Sequence, residues 1–455
     1  MKKRTQKLAA LFLTGILTTV VAAGCGGGGT SSDAGTDTST AESTETETEG
    51  AAEVSSDDIG EPNGGAEVTL WHYFEHEADA LNQMVKQYNE SQSDIYIVPT
   101  FVSRDELMKQ YTIGAVSGEL PDIGMVDSPD MASYISLGVF EDITEYVGDW
   151  EDLDQFYEGP LASVKDAEGN IYGLPNNSNC LAIACNMDIL RAAGIENPPT
   201  TWEEFREVCE KTTNGAEGVY GFAMCSISNE EGTFQYIPWL YGAGGDVTDI
   251  DSDAAVESLT FLSDLVKDGY MSKEVVNWGQ GDAYNAFLAG KAAMLESGTW
   301  QIATLDGQDK DKVTFDYEYV AMPMNGENQA TCIGGENFGV CAGSEYVEEC
   351  ADFLMSMMSA QNNADWCEIA GKLPVRGDAV ELKDFWTADA RYKVFNDSMN
   401  FAVARGPHES WPTISEAIYT AEQSAILGEK TPEEALAEAA ATIDPILEET
   451  PIATQ

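Results

Sequence analysis

Cations are scarce in this chain. Its 455 residues carry 23 Lys and Arg against 79 Asp and Glu, a formal net charge of −56. Four of those cations, Lys2, Lys3, Arg4 and Lys7, fall in the first seven residues. Such a field repels nucleic acid, anionic lipid and phosphorylated ligands, and suits a neutral or cationic ligand better. Histidine occurs three times, at 72, 76 and 408. There is no CxxC pair, no HExxH, no GxSxG, no P-loop and no GxGxxG after a strand, so the motif-borne chemistries have no foothold. Two carboxylates about 5–9 Å apart could still hydrolyse a glycosidic bond, but a chain this acidic brings acids together by chance. Binding is the better expectation, with no cofactor and no metal.

A membrane-spanning run is also missing, since a helix needs about 20 apolar residues to cross a bilayer. The apolar run Leu8 to Ala23 is shorter, follows Lys2, Lys3 and Arg4, and ends in small residues, the pattern of a secretory signal over 1–24. The adjoining "VAAGC" resembles the lipobox of bacterial lipoproteins, with Ala22 where leucine is usual. That resemblance implies a lipid on Cys25 and an anchor on the extracytoplasmic face of the cell membrane. Residues 26–65 are almost all Gly, Ser, Thr, Asp, Glu and Ala, and no Lys or Arg occurs from 26 to 85. Such a segment cannot bury a core and reads as a tether of roughly 35 Å reach. Eight further cysteines stand at 180, 185, 209, 225, 332, 341, 350 and 367, several in apolar runs such as "CLAIACN" and "FGVCAG". There a free thiol packs as a small hydrophobe, and free thiols are favoured over disulfides.

Folded sequence is expected from about residue 66. "EVTLW" alternates like a strand, Ala80, Leu81, Met84, Val85 and Tyr88 recur at helical spacing, "DIYIVPTFV" is a second strand, 104–117 a second helix, and "DIGMVDS" a third strand. Strand–helix alternation predicts an α/β fold with a parallel sheet and right-handed crossovers. Ligands collect at the carboxyl ends of such strands, which directs attention to the loops starting at His72, Ser103 and Asp127. "GNIYGLPNNSNCLAIACNMDILRAAG" reads as hairpin, exposed loop, buried strand and helix. Further helices are expected at 201–211, 254–267 and 281–290. The "DIDSD" before the second of these looks like calcium ligands, but Ala254 and Thr260 stand where an EF-hand needs Gly and Glu. Capping of the helix by Asp and Ser is the better account.

"VTLWHYFEHE", "LPDIGMVDSP", "GVFEDITEYV", "GNIYGLPNNSN", "AAGIENPPTTWEEF", "AAMLESGTW", "GGENFGV", "KLPVR" and "TPEEALAEAA" occur in that order. Together they resemble the family 1 extracellular solute-binding proteins, carbohydrate-binding lipoprotein subunits of ABC importers, over about 66–445. The resemblance implies a two-lobed periplasmic-binding-protein-like fold of type II with three hinge crossings, near 178–186, 331–338 and 371–376. One lobe would be 66–180 plus 336–372, the other 181–333 plus 374–455, with Gly334, Gly335 and Gly371 as hinge candidates. It also implies a monomer that delivers a mono- or oligosaccharide to an ABC permease.

Sugars offer apolar C–H faces and a rim of hydroxyls, so their sites combine aromatic platforms with carboxylates, amides or Arg. Candidates in the first lobe are His72, Tyr73, Glu75 and His76 after the first strand, Asp127 and Ser128 after the third, and Asn176 and Asn177 before the first crossing. Trp239, Tyr241, Trp300 and Trp411 are the aromatic candidates of the second lobe. Glu336 and Asn337 lie at the second crossing and Arg376 at the third. His72 and His76, four apart with Glu75 and Glu77 beside them, also suggest zinc; the lack of further ligands favours polar contact with a neutral ligand.

Overall fold

In the computed structural model, residues 55–75 and 77–452 are described. Cys25, the expected tether as far as residue 54, and His76 lie outside them; the last part of that tether is instead folded, with a short helix Ser56–Ile59 whose Ile59 is buried in the core. The described residues belong to one compact unit that starts at Ala51. No helix among them is long and apolar enough to cross a membrane.

Eleven strands form among the described residues: β1 (Ala66–His72), β2 (Ile95–Phe101), β3 (Ile123–Asp127), β4 (Gly173–Pro175), β5 (Leu181–Asn186), β6 (Tyr220–Ala223), β7 (Ala292–Gly298), β8 (Tyr317–Val320), β9 (Thr331–Cys332), β10 (Glu336–Val340) and β11 (Ala402–Val403). One sheet runs β2-β1-β3-β10-β4 and another β6-β7-β5-β8. The expected parallel unit is present: β1 pairs parallel with β2 in register from Ala66↔Ile95 to His72↔Phe101, and parallel with β3. The first sheet as a whole is mixed, because β10 enters antiparallel between β3 and β4. β1 shows why alternation mattered: Val68, Leu70 and His72 are buried, and Trp71 stacks with Tyr111 at 6.2 Å. Gly124 of β3 is required by a close approach, since a Cβ there would lie 2.5 Å from the Tyr111 hydroxyl, which donates to the Met125 carbonyl at 2.9 Å.

β5 is buried on both faces. Leu181, Ile183 and Cys185 join one apolar cluster, with the last two long helices, Trp411–Ile426 and Pro432–Glu449. Ala182 and Ala184 join the other, which also holds the core of the first sheet. The period of two along a strand makes this division. Helix Trp202–Thr212 is capped by Thr201, and Asp253–Lys267 by the Ser252 side chain accepting from the Ala255 amide, the capping expected in place of a calcium loop. All eight described cysteines are free and buried.

The chain leaves the first sheet between β4 and β5 and returns to it between β9, which pairs with β11 in a two-stranded sheet, and β10. Ser178 and Leu373 exchange backbone hydrogen bonds of 2.8 Å, and Asn179 and Gly334 exchange bonds of 3.0 and 2.9 Å. Three connecting segments therefore lie side by side. For this reason the expected exposed loop at 176–179 is instead buried, with Asn176 fully so. Gly335 has φ 145° and a Cβ there would meet the Asn177 carbonyl at 2.2 Å; Gly371 has φ 68°. Both positions reject other side chains.

Candidate functional site: a cavity at the strand ends

The carboxyl ends of β1 and β3, the start of β10, the loop before helix Gln280–Leu288 and the three connecting segments surround a cavity of about 420 Å³. Its walls carry Tyr73, Phe74, Phe234 and Trp300 as aromatic groups. Asn179, Gln280, Asn285 and Gln301 supply amides. The charged groups are Glu75, Glu77, Asp127, Glu230, Glu231, Asp282 and Glu336 against Arg104, Lys372 and Arg405.

Asp127 ends β3 and anchors a chain of ion pairs. Arg104, at the start of the helix after β2, donates to its Oδ2 at 3.1 and 3.2 Å. Arg405, just beyond β11, donates to both oxygens at 3.3 Å, and also pairs with Glu230. Trp411 Nε1 lies 3.1 Å from each oxygen of Glu230 and steadies that carboxylate. Each guanidinium lies over a ring, Arg104 4.5 Å from the centre of Tyr73 and Arg405 4.4 Å from that of Phe234. Burial would raise the Asp127 carboxyl, but Arg405 and Arg104 hold it below the ordinary range. Asp130 is pushed far up by burial and by its neighbours Glu230 and Asp127. On the other side of the cavity Lys372 lies 2.9 Å from Glu77, 3.9 Å from Glu336 and 4.9 Å from the centre of the Trp300 ring. Asn179 and Gln301 are 4% and 3% exposed, and their side-chain oxygens have no hydrogen-bond partner. A buried polar atom without a partner is costly and points to a ligand or a water that completes it.

Of the residues expected from sequence, Tyr73, Glu75, Asp127, Trp300 and Glu336 line this cavity. Ser128, Asn177 and Asn337 line a separate void of about 50 Å³ instead, where Asn337 Nδ2 donates to Ser163 at 3.0 Å. Asn176 is fully buried; its side-chain oxygen accepts from Asn177 and its carbonyl from Asn363.

Five further candidates are corrected to packing or supporting places. His72 is 2% exposed, with Phe74 and Phe101 about it. Burial lowers its pKa to about 4, against the pull of Glu77; it faces inward because β1 alternates. Trp239 is 1% exposed in a nest of Trp202, Phe205, Phe222 and Phe261, and its Nε1 donates to Glu296 at 2.8 Å. Tyr241 packs on the same core and its hydroxyl accepts from the Val247 amide at 3.4 Å. Arg376 is 1% exposed, pairs with Asp152 and Asp378 and donates to the Met358 carbonyl at 2.6 Å. Trp411, also buried, reaches the cavity only through Glu230.

Arg104, Glu230, Phe234, Lys372 and Arg405 were not anticipated. Arg104 had a signal, since it follows a strand-end loop already singled out. Lys372 stands four residues before Arg376, in the same connecting segment. Nothing local marks Arg405, because β11 is two residues long.

The sequence model of the bacterial extracellular solute-binding proteins matches residues 83–394. The chain belongs to this family. An arabinooligosaccharide-binding protein of Bacillus subtilis is 23% identical over 350 residues, covering 73% of this chain and 78% of that one. An sn-glycerol-3-phosphate-binding periplasmic protein of Brucella abortus is 26% identical over 249 residues, 50% of this chain and 56% of that one. Among solved structures, an ABC transporter solute-binding protein of Thermotoga lettingae bound with α-D-tagatose superimposes with a TM-score of 0.78 at 25% identity, covering 84% of this chain and all of the other. The fold is thus the two-lobed α/β fold of such binding proteins, and these relatives are binding proteins rather than enzymes.

Proposed function

We propose that this protein is the substrate-binding lipoprotein of an ABC importer, capturing a mono- or short oligosaccharide between its two lobes and passing it to the permease. The observation that carries the reading is the cavity's combination of four aromatic side chains with unpartnered buried amides at the strand ends. Rings meet the apolar faces of a pyranose or furanose, and amides and carboxylates meet its hydroxyls. The volume falls within the roughly 300–1,000 Å³ of small-molecule sites. The tagatose and arabinooligosaccharide named for its relatives belong to the same chemical class.

The lobes are 66–180 with 336–372, and 181–333 with 374–455, hinged where the three connecting segments lie together. Cys25 carries the lipid that holds the monomer at the cell membrane. We read it as a binder rather than an enzyme, as its relatives are, and two of the cavity's carboxylates, Asp127 and Glu230, are held by Arg405. Transport energy comes from the partner ATPases. Calorimetric titration of the chain with a panel of neutral mono- and oligosaccharides tests this. A saturable sugar isotherm is expected, and a panel that is silent throughout while a polyamine, a peptide or zinc binds would overturn it.

A further inference from the structure

Helix Gln280–Leu288 begins at the cavity wall, with Gly279, Gln280 and Gly281 all lining it. A helix N-terminus carries unpaired amides and the positive end of the dipole, and so attracts anions. Here the chain's own carboxylates hold that place. Glu231 Oε2 accepts from the Gln280 amide at 3.2 Å, and Asp282 Oδ2 accepts from the Gly279 amide at 3.2 Å.

The side-chain cations are committed as well. Arg104 is paired with Asp127, Arg405 with Asp127 and Glu230, and Lys372 with Glu77 and Glu336. Seven carboxylates line the cavity against three cations. Arg405 Nε lacks a partner, but the charge of its group is already balanced by two carboxylates. Asn179 and Gln301, buried with oxygens that no protein group meets, offer acceptors to a ligand that brings hydrogen-bond donors, as a hydroxyl does.

We propose that Glu231 is a resident anion: by filling the N-terminus of helix Gln280–Leu288, it makes the cavity select an uncharged sugar over the acidic counterpart. This rests on the sugar-binding reading. A phosphate or carboxylate on the ligand would find the Gly279 and Gln280 amides engaged and would face Glu231 and Asp282 at the cavity wall. Juxtaposed like charges repel, and specificity built on such repulsion needs no added attraction for the correct ligand.

The test uses the full chain and isothermal calorimetry. Arabinose, glucose, galactose, mannose and their disaccharides are titrated beside the hexose 6-phosphates, the uronic acids and glycerol 3-phosphate. The neutral sugar that binds should exceed its acidic counterpart by about a hundredfold or more. Glu231→Gln keeps the shape and an acceptor for the Gln280 amide while removing the charge, and should narrow that ratio at least tenfold; Asp282→Asn provides a second, more exposed variant expected to narrow it in the same direction. Thermal melts establish that both variants fold. An acidic sugar that binds the wild-type chain within tenfold of the neutral one overturns the proposal and leaves the sugar reading standing. So does an unchanged ratio in both variants. Silence from every sugar, neutral and acidic, overturns the sugar reading itself, and this proposal with it.

Discussion

The ammonium of Lys372 stands 4.9 Å from the centre of the Trp300 ring, while Glu77 holds the same nitrogen at 2.9 Å. A residue of the third connecting segment is thereby fixed between the β1 loop and a ring that follows the second sheet's β7. The ring itself lies flat against the backbone, since a Cβ at Gly298 would come within 1.8 Å of it.

Trp300→Ala should weaken sugar binding about tenfold or more, the scale of losing a stacked ring from a closed site. Trp300→Phe should recover part of it. Titration calorimetry on both, with melts to confirm folding, decides the matter; unchanged affinity in the alanine variant removes Trp300 from the site.

Arg405→Met leaves Asp127 and Glu230 facing each other without the guanidinium between them. Breaking one partner out of a buried ion pair costs about 3–5 kcal/mol, which urea unfolding would read as a lower midpoint. The acid limb should change too. Asp127 is held below its ordinary pKa of about 4, so its contribution is present above that value and fades as pH falls through the depressed one. In the variant this limb should flatten; a parallel pH profile would argue against the assignment.

Glu422 is fully buried, and burial pushes its pKa up to about 8 against the opposing pull of the Ser226 hydroxyl. A carboxyl raised in the folded state stabilises below its unfolded pKa and loses that contribution as pH rises, here between about 4.5 and 8. By pH 7 the loss is roughly 3 kcal/mol. Glu422→Gln should therefore melt like the wild type near pH 5 and above it at pH 8. A variant less stable at pH 8 would show that the carboxylate has a partner in solution.

Cys25→Ser should move the protein from the membrane fraction to the medium or periplasm, as read by detergent phase partitioning. Retention in the detergent phase would exclude a lipid at that position as the anchor.

The parts of the fold carried by local pattern were legible in the sequence. Alternation marked β1, and helical spacing marked the helix after it, so the strand-end loops and with them Tyr73, Glu75 and Asp127 could be placed at the cavity. The place of β10 could not, because its neighbours β3 and β4 are distant in sequence and nothing local encodes an antiparallel insertion. Side-chain direction was the second loss. Trp239 and Arg376 have the chemistry of sugar ligands, yet one is enclosed by four rings and the other by two carboxylates. Arg405 and Glu230 acquire their role only from each other, across a long interval of chain that composition does not bridge.

The order β2-β1-β3-β10-β4 has a consequence for how the protein comes into being. β4 has no partner in its sheet until β10, and β3 keeps an open edge, until residue 336 has left the ribosome. A segment ending near residue 180 is therefore an incomplete sheet with a bare edge. Pairings so remote in sequence also close slowly. The first sheet therefore cannot close before most of the polypeptide has been made.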